Sequence, residues 1–225
     1  MSKLTRVSRL GLVNAYLVAE DDGLTVIDTM ISGSAKRIVR VVERSAAPIV
    51  RIVLTHAHGD HIGSLDDLAG MAPGAEVIIS ERDARLLAKD MSLDPGEPDD
   101  ELRGAYPGAE TRPTRTVHAG DRIGSLEVVA APGHTPGHIA LLDTRDRTLL
   151  CGDVFTTLGG METSARVNWR FPVPAKATWH RPTELESARA LRALEPARLA
   201  TGHGKVVESP LDAMDAAIRR AEEEL

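Results

Sequence analysis

Cysteine occurs once in the 225 residues, at Cys151, so no disulfide can form within the chain and the fold does not rely on an oxidising compartment. Aromatic residues are scarce at 3%, so Val, Leu, Ile and Ala must fill the core, and an apolar content of 42% is ample for that. The net charge is −6 and the Lys and Arg residues are scattered. No basic stripe tracks a phosphate backbone, which argues against nucleic acid as a partner. No apolar run approaches membrane-spanning length. The N-terminal stretch MSKLTRVSRLGLVNAYLVAEDDG is broken by Lys3, Arg6 and Arg9 and then by Glu20 to Asp22, which is not the pattern of a signal peptide. The expectation is a cytoplasmic protein with no membrane partner and a small-molecule substrate, with a homodimer allowed.

Apolar periodicity divides the chain into alternating elements. Asn14–Ala19 and Leu24–Asp28 read as strands separated by a Glu-Asp-Asp-Gly turn. Ser34–Arg44 carries Ile38, Val41 and Val42 on one helical face. Ile49–Leu54 reads as a buried strand, Glu76–Ile79 as another, and Glu81–Lys89 as a helix. The stretch from Asp94 to Pro113, rich in Pro, Gly and acids, predicts a long loop with room for one short helix. Strands are expected again at Arg115–Val117, Leu126–Ala130, Ile139–Asp143 and Thr148–Leu150. Gly159–Pro174 shows no period and reads as a loop. Thr183–Leu194 and Pro210–Glu224 read as helices, with a short strand at Arg198–Ala200 between them.

Three of the eight histidines stand within six residues in LTHAHGDHIG, at His56, His58 and His61, together with Asp60. Neutral imidazole and carboxylate are ligands that Zn, Fe and Mn accept. Residues i and i+2 of extended backbone point the same way, and Asp60 and His61 can face a second point nearby. Four donors so close together exceed what one catalytic tetrahedral metal with an open position needs, which raises the possibility of two metals. Further donors stand downstream: His134 in PGHTPGH, Asp153 in LLCGDVF and His203 in ATGHGK. Each follows an apolar run and lies next to glycine, which lets backbones approach closely.

These residues resemble the metallo-β-lactamase superfamily: HxHxDH at His56 to His61, GHTPGH at Gly133 to His138, GD at Gly152 and Asp153, and GHG at Gly202 to Gly204. The resemblance spans nearly the whole chain and implies one domain over residues 1–225. It implies an α/β fold, an αββα sandwich of two mixed β-sheets flanked by helices. It implies two divalent metal ions, zinc first and iron or manganese as alternatives, with His56, His58 and His134 on one and Asp60, His61 and His203 on the other, bridged by Asp153. The activity implied is a dinuclear hydrolase whose bridging hydroxide attacks an ester, thioester or lactone carbonyl, with Asp60 also orienting the hydroxide or moving a proton. Asp28 is implied as a partner to a ligating histidine, against a reading as an ordinary turn residue.

Departures narrow the branch. True β-lactamases of this fold usually lack the aspartate found at Asp153. The glutathione thioesterases carry a C-terminal helical region, whereas the chain beyond His203 suffices for about one helix. Thr156 stands where acyl-homoserine lactonases often have tyrosine. The alternative reading is a mononuclear iron oxidoreductase of the persulfide dioxygenase type, since the same donors suit iron; a non-catalytic binding module fits the full donor set least. His118 reads as a turn residue and His180 as a surface residue before a helix, while His138 either supports a ligand or caps a strand. Cys151 is expected to pack in a strand as an inert thiol. Tyr106, Trp169, Phe171 and Trp179 fall in or beside the expected loops, where they either wall a pocket or pack singly.

Overall fold

The computed structural model describes residues 4–225; Lys3, one of the charges that interrupt the N-terminal stretch, lies outside them. The described residues form two compact units, 4–90 with Tyr106–Val117, and Met91–Ala105 with His118–Leu225.

The first unit is built on a six-stranded sheet of β1 (Leu4–Arg9), β2 (Val13–Glu20), β3 (Gly23–Ile27), β4 (Ile49–Val53), β5 (Glu76–Ser80) and β6 (Arg115–Val117), in that order. The first three are antiparallel, joined by tight turns, and β3 to β6 are parallel. Parallel neighbours need crossovers. These are α1 (Ala35–Val42) between β3 and β4, α2 (Gly59–Ile62) with α3 (Leu65–Met71) between β4 and β5, and α4 (Glu81–Leu87) with a long loop between β5 and β6. The parallel strands are continuous apolar runs: Ile27, Ile52, Val53, Ile78 and Ile79 are all buried. Their C-terminal ends share one edge, where the chain turns into Asp28, into Thr55 and His56, and into α4. That edge is the usual place for a site on parallel strands.

The second unit carries the sheet β14-β13-β10-β9-β8-β7, with β7 (Arg122–Ile123), β8 (Leu126–Ala130), β9 (Ile139–Asp143), β10 (Thr148–Leu150), β13 (Arg198–Ala200) and β14 (Val207–Glu208), beside a small ribbon of β11 (Phe155–Thr156) and β12 (Glu162–Thr163). Strand β9 is antiparallel to both β8 and β10, and β13 is parallel to β10. Strands β8, β10 and β13 therefore run the same way and end on one edge, where β9 begins. The crossover from the ribbon to β13 contains α5 (Val173–Ala177) and α6 (Arg181–Ala193), and α7 (Leu211–Glu222) closes the chain. Leu185, Ala188 and Leu191 of α6 and Met214, Ala217 and Ile218 of α7 pack with Leu142, Leu149 and Leu199 of the sheet. Both sheets are thus mixed and carry helices. Among the largest fully buried side chains Phe155 alone is aromatic, as the composition requires.

The expected elements are present, within a few residues at their ends. Two corrections concern loops. The segment Gly159–Pro174, expected to be irregular, contains β12 and the start of α5. A two-residue strand and a five-residue helix are too short to display a period, and β12 exists through its pairing with β11, Phe155 opposite Thr163. The stretch LDDLAGM, passed over in the sequence, is α3, and the histidine-rich turn itself winds into α2. Residues 94–113 hold no helix or strand. No described helix is long and apolar enough to cross a membrane. Ile52, fully buried at the centre of β4, provides a test of the core: Ile52→Ala is expected to cost about 2–5 kcal/mol in urea denaturation.

Candidate metal centre

In the first unit the donors sit where β4 ends. His56 is reached by extended backbone, His58 holds the N-cap position of α2 with φ −73° and ψ 148°, and Asp60 and His61 lie in the helical turn that follows. The His56 ring centroid is 4.9 Å from that of His58 and 4.0 Å from that of His61. All three histidines are buried, and Asp60 is half-buried. Asp28, one residue beyond β3, organises the cluster. It adopts φ +60°, in the left-handed region that Asp tolerates better than most side chains. Its carboxylate accepts from the Thr55 N–H (2.8 Å), the Thr55 hydroxyl (2.9 Å) and His61 Nδ1 (2.8 Å).

These contacts determine tautomers. His61 donates Nδ1–H to the Asp28 carboxylate, so its Nε2 carries the lone pair. The Thr55 hydroxyl has one hydrogen and gives it to Asp28, so it must accept from His56 Nδ1 at 3.0 Å. His56 Nε2 then carries the lone pair as well. Asp28, read in the sequence as a partner to a ligating histidine or as an ordinary turn residue, is hydrogen-bonded to His61 Nδ1. Asp83, which sequence reasoning missed, accepts the Ala57 N–H at 3.0 Å and so holds the backbone between His56 and His58. Its signal was present as Ser80-Glu81-Arg82-Asp83: Ser80 caps α4 by accepting the Asp83 N–H.

In the second unit His134, Asp153 and His203 follow β8, β10 and β13. Two imidazole nitrogens converge on one carboxylate oxygen: His203 Nε2 lies 3.1 Å and His134 Nε2 3.5 Å from Asp153 Oδ2. The Thr178 hydroxyl, whose single hydrogen is directed to the carbonyls of Ser164 and Pro174, accepts from His134 Nδ1 at 3.0 Å. His134 Nε2 therefore faces Asp153 with a lone pair. His138 Nε2 accepts the Asp153 N–H at 3.1 Å, and the Ser164 hydroxyl donates to the Asp153 carbonyl. His138 is thus bonded to the backbone of Asp153. The His203 carbonyl accepts from the Thr157 N–H (2.9 Å) and the Thr201 hydroxyl (2.8 Å). Glycine is required at two of these turns. A Cβ on Gly133 would stand 2.3 Å from the Glu184 nitrogen, and one on Gly204 would stand 2.3 Å from Thr157 Oγ1.

Chemically, His56 and His61 in the first unit and His134 in the second each carry a fixed Nδ1–H and an Nε2 lone pair, the form of imidazole that divalent Zn, Mn and Fe accept. Thr55, Thr178 and Asp83 were not legible as site residues, because hydroxyls and carboxylates are common and their partners here lie far away in the chain. Burial pushes the Glu184 carboxyl well above its ordinary range; the His134 backbone N–H opposes that shift and the Asp153 charge adds to it. Burial likewise pushes up the Cys151 thiol, which packs in the core just after β10 and is inert. His118 is a turn residue whose N–H is bonded to Asp121. His180 caps α6, accepting the Thr183 N–H. The Tyr106 ring lies 4.6 Å from that of His58 and the Phe171 ring 5.1 Å from that of His203. Trp179 is buried and donates to the Asp100 carbonyl.

The family model of the metallo-β-lactamase superfamily matches residues 8–203. The uncharacterised protein YobT of Bacillus subtilis (strain 168) is 45% identical over 97% of this chain and 94% of its own length. A hydroxyacylglutathione hydrolase of Acidiphilium cryptum (strain JF-5) is 31% identical over 69% of this chain, which covers 54% of that protein. The crystal structure of TTHA1623 in a di-iron-bound form aligns with TM-score 0.68 over 92% of this chain and 95% of that one, at 24% identity, and so shares its fold of mixed sheets flanked by helices.

Removing the Asp28 carboxylate strips the partner from His61 and from Thr55. Asp28→Ala is expected to weaken metal binding by roughly 10–100-fold, measured by competition with a chromophoric chelator. His118→Ala is expected to leave that affinity unchanged.

Proposed function

The chain belongs to the metallo-β-lactamase superfamily, and from that membership we propose a dinuclear metal-dependent hydrolase of an ester, thioester or lactone, with the two donor sets in one site of a single domain. In this reading His56, His58 and His134 would hold one divalent ion and Asp60, His61 and His203 the second, with Asp153 shared between the two sets. The observation that supports it is the hydrogen-bonded Nδ1 of His56, His61 and His134, which leaves on Nε2 of three separate imidazoles the lone pair that a metal ion accepts. The hydroxyacylglutathione hydrolases, whose name describes a thioester cleavage, support the reaction class.

Bound ions would supply Lewis acidity and a water of lowered pKa, near about 7. The chain's own residues supply the rest. Asp28 keeps the His61 ring oriented and its nitrogen basic. Asp153 is held at both its N–H and its carbonyl, which fixes the backbone that carries the carboxylate. Asp60, half-buried in the first turn of α2, orients the attacking water and passes a proton to the leaving oxygen or sulfur.

Metal content by plasma mass spectrometry, on protein purified without chelator, is expected near two zinc or manganese per chain. Near one iron, with oxygen uptake on persulfide substrates, would replace this reading by the iron oxidoreductase one. Asp153→Ala is expected to abolish hydrolysis across a panel of esters, thioesters and lactones and to lower metal content. EDTA is expected to inactivate the enzyme, and added metal to restore it.

A further inference from the structure

Helix α6 and the residues just before it grip the turn that carries His134. The Ser187 hydroxyl donates to the Pro132 carbonyl at 2.6 Å, the His180 N–H to the Gly133 carbonyl at 2.9 Å and the Trp179 N–H to the His134 carbonyl at 3.1 Å. With the Thr178 hydroxyl on the His134 ring, four groups between residues 178 and 187 hold three consecutive residues. Gly133 permits the approach, since a Cβ there would stand 2.3 Å from the Glu184 nitrogen and 2.4 Å from its Cα.

Glu184 is the unusual member of this contact. It lies in the first turn of α6, where an acidic side chain ordinarily faces water and complements the helix dipole. Here it is fully buried, on the helix face that continues through Ala188 and Leu191 into the core. Among the described residues neither carboxyl oxygen has a hydrogen bond of standard geometry, and no cation pairs with it. Burial pushes its pKa well up, the His134 backbone N–H draws it down, and the Asp153 charge adds to the rise. An apolar side chain of similar volume would fill the same space without the cost of stripping a carboxyl of water. Packing therefore does not account for an acid at this position, whereas the donor that acts on it belongs to a proposed ligand.

We propose that Glu184 is a positioning residue for His134: its carboxyl oxygen accepts from the backbone N–H of that residue and completes the set of contacts that fixes the turn. This rests on the reading of His134 as a ligand given above. The ring Nδ1, the carbonyl and the N–H of His134 are then held by Thr178, Trp179 and Glu184 in turn. An imidazole held at three points of its residue is already ordered before an ion arrives, and a site ordered in advance binds more tightly.

The test compares the full chain as wild type, Glu184→Gln and Glu184→Leu. Three quantities are measured: zinc affinity by competition with a chromophoric chelator, the urea midpoint, and hydrogen exchange of the His134 amide in metal-free protein. Gln keeps an acceptor oxygen, so Glu184→Gln is expected to bind zinc within about twofold of wild type. Leu keeps the volume and loses the acceptor. Glu184→Leu is expected to bind zinc about tenfold more weakly, to exchange its His134 amide faster, and to keep or raise the urea midpoint. A merely structural role would lower affinity and midpoint together. Wild-type zinc affinity in Glu184→Leu, equal losses in the Gln and Leu variants, or a midpoint that falls in step with affinity overturns the proposal. If Glu184→Leu does not fold, exchange in the other two proteins decides: slow exchange of the His134 amide in both supports the proposal, and exchange as fast as that of an exposed amide in wild type overturns it. If wild type binds no zinc, the ligand reading falls, and the exchange comparison still decides whether Glu184 holds the turn.

Discussion

The Asp28 carboxylate is the contact on which the histidine cluster of the first unit depends. A buried carboxylate costs several kcal/mol to desolvate, and it is stable only when its lone pairs are occupied. Asp28 meets that condition with the Thr55 N–H, the Thr55 hydroxyl and His61 Nδ1. Each of these also serves the site. The N–H contact joins the end of β3 to the end of β4, the hydroxyl contact orients Thr55 towards His56, and the imidazole contact selects the tautomer of His61. The same hydrogen bonds that make the charge tolerable therefore point two imidazoles. Separating the two effects by mutation is impossible in principle, because no substitution keeps the geometry and removes the charge without leaving Thr55 or His61 short of an acceptor.

The second unit solves the same problem with hydroxyls and a third histidine. Thr178 can accept from His134 because its own hydrogen is already given to backbone carbonyls. A hydroxyl so committed is a one-way acceptor, and it orients a ring as a carbonyl does. His138 accepts from the Asp153 backbone N–H and so fixes the turn that carries that residue. Strand direction makes this possible: β8, β10 and β13 end on the edge where β9 begins, so three donor-bearing turns and His138 meet at one edge of the sheet. Close approach then demands glycine where a side chain would collide, at Gly133 against α6 and at Gly204 against Thr157.

Much of this was legible in the sequence because it is written in apolar runs. Ile49 to Leu54, Leu126 to Ala131, Thr148 to Cys151 and Arg198 to Ala200 each end at a donor, and burial of the runs made them stand out. The donors were legible because histidine is rare and clusters visibly. The features that escaped are those specified by partners distant in the chain. Strand β12 depends on β11, and β14 on β13. Asp83 acts on Ala57 and Thr178 on His134, and neither residue type is unusual enough to be noticed alone. Helix α2 was hidden because four residues cannot show a helical period. His138 shows the opposite limit: its position next to a donor turn was plain, yet its hydrogen bond to the Asp153 backbone was not.

The long connections are tied down in a different manner from the turns that carry the histidines. The donor turns are bonded to strand ends and to buried hydroxyls, so a change there disturbs the ligands directly. The loop before β6 is held by polar contacts at its margin, with Asp66 accepting the N–H groups of Glu110 and Thr111. Within the other unit, the segment around Asp100 is held by Trp179. The turn at Asn168 closes on itself. Substitutions on the exposed sides of these segments leave the hydrogen bonds of Asp28, Thr178 and His138 untouched. A chain so poor in aromatics nevertheless places Tyr106 against His58 and Phe171 against His203, one from each connection. Core packing does not require rings at those positions, since aliphatic side chains fill the core of both units. Their placement follows instead if the connections supply the apolar surfaces a substrate meets while the strand ends supply the reacting centre.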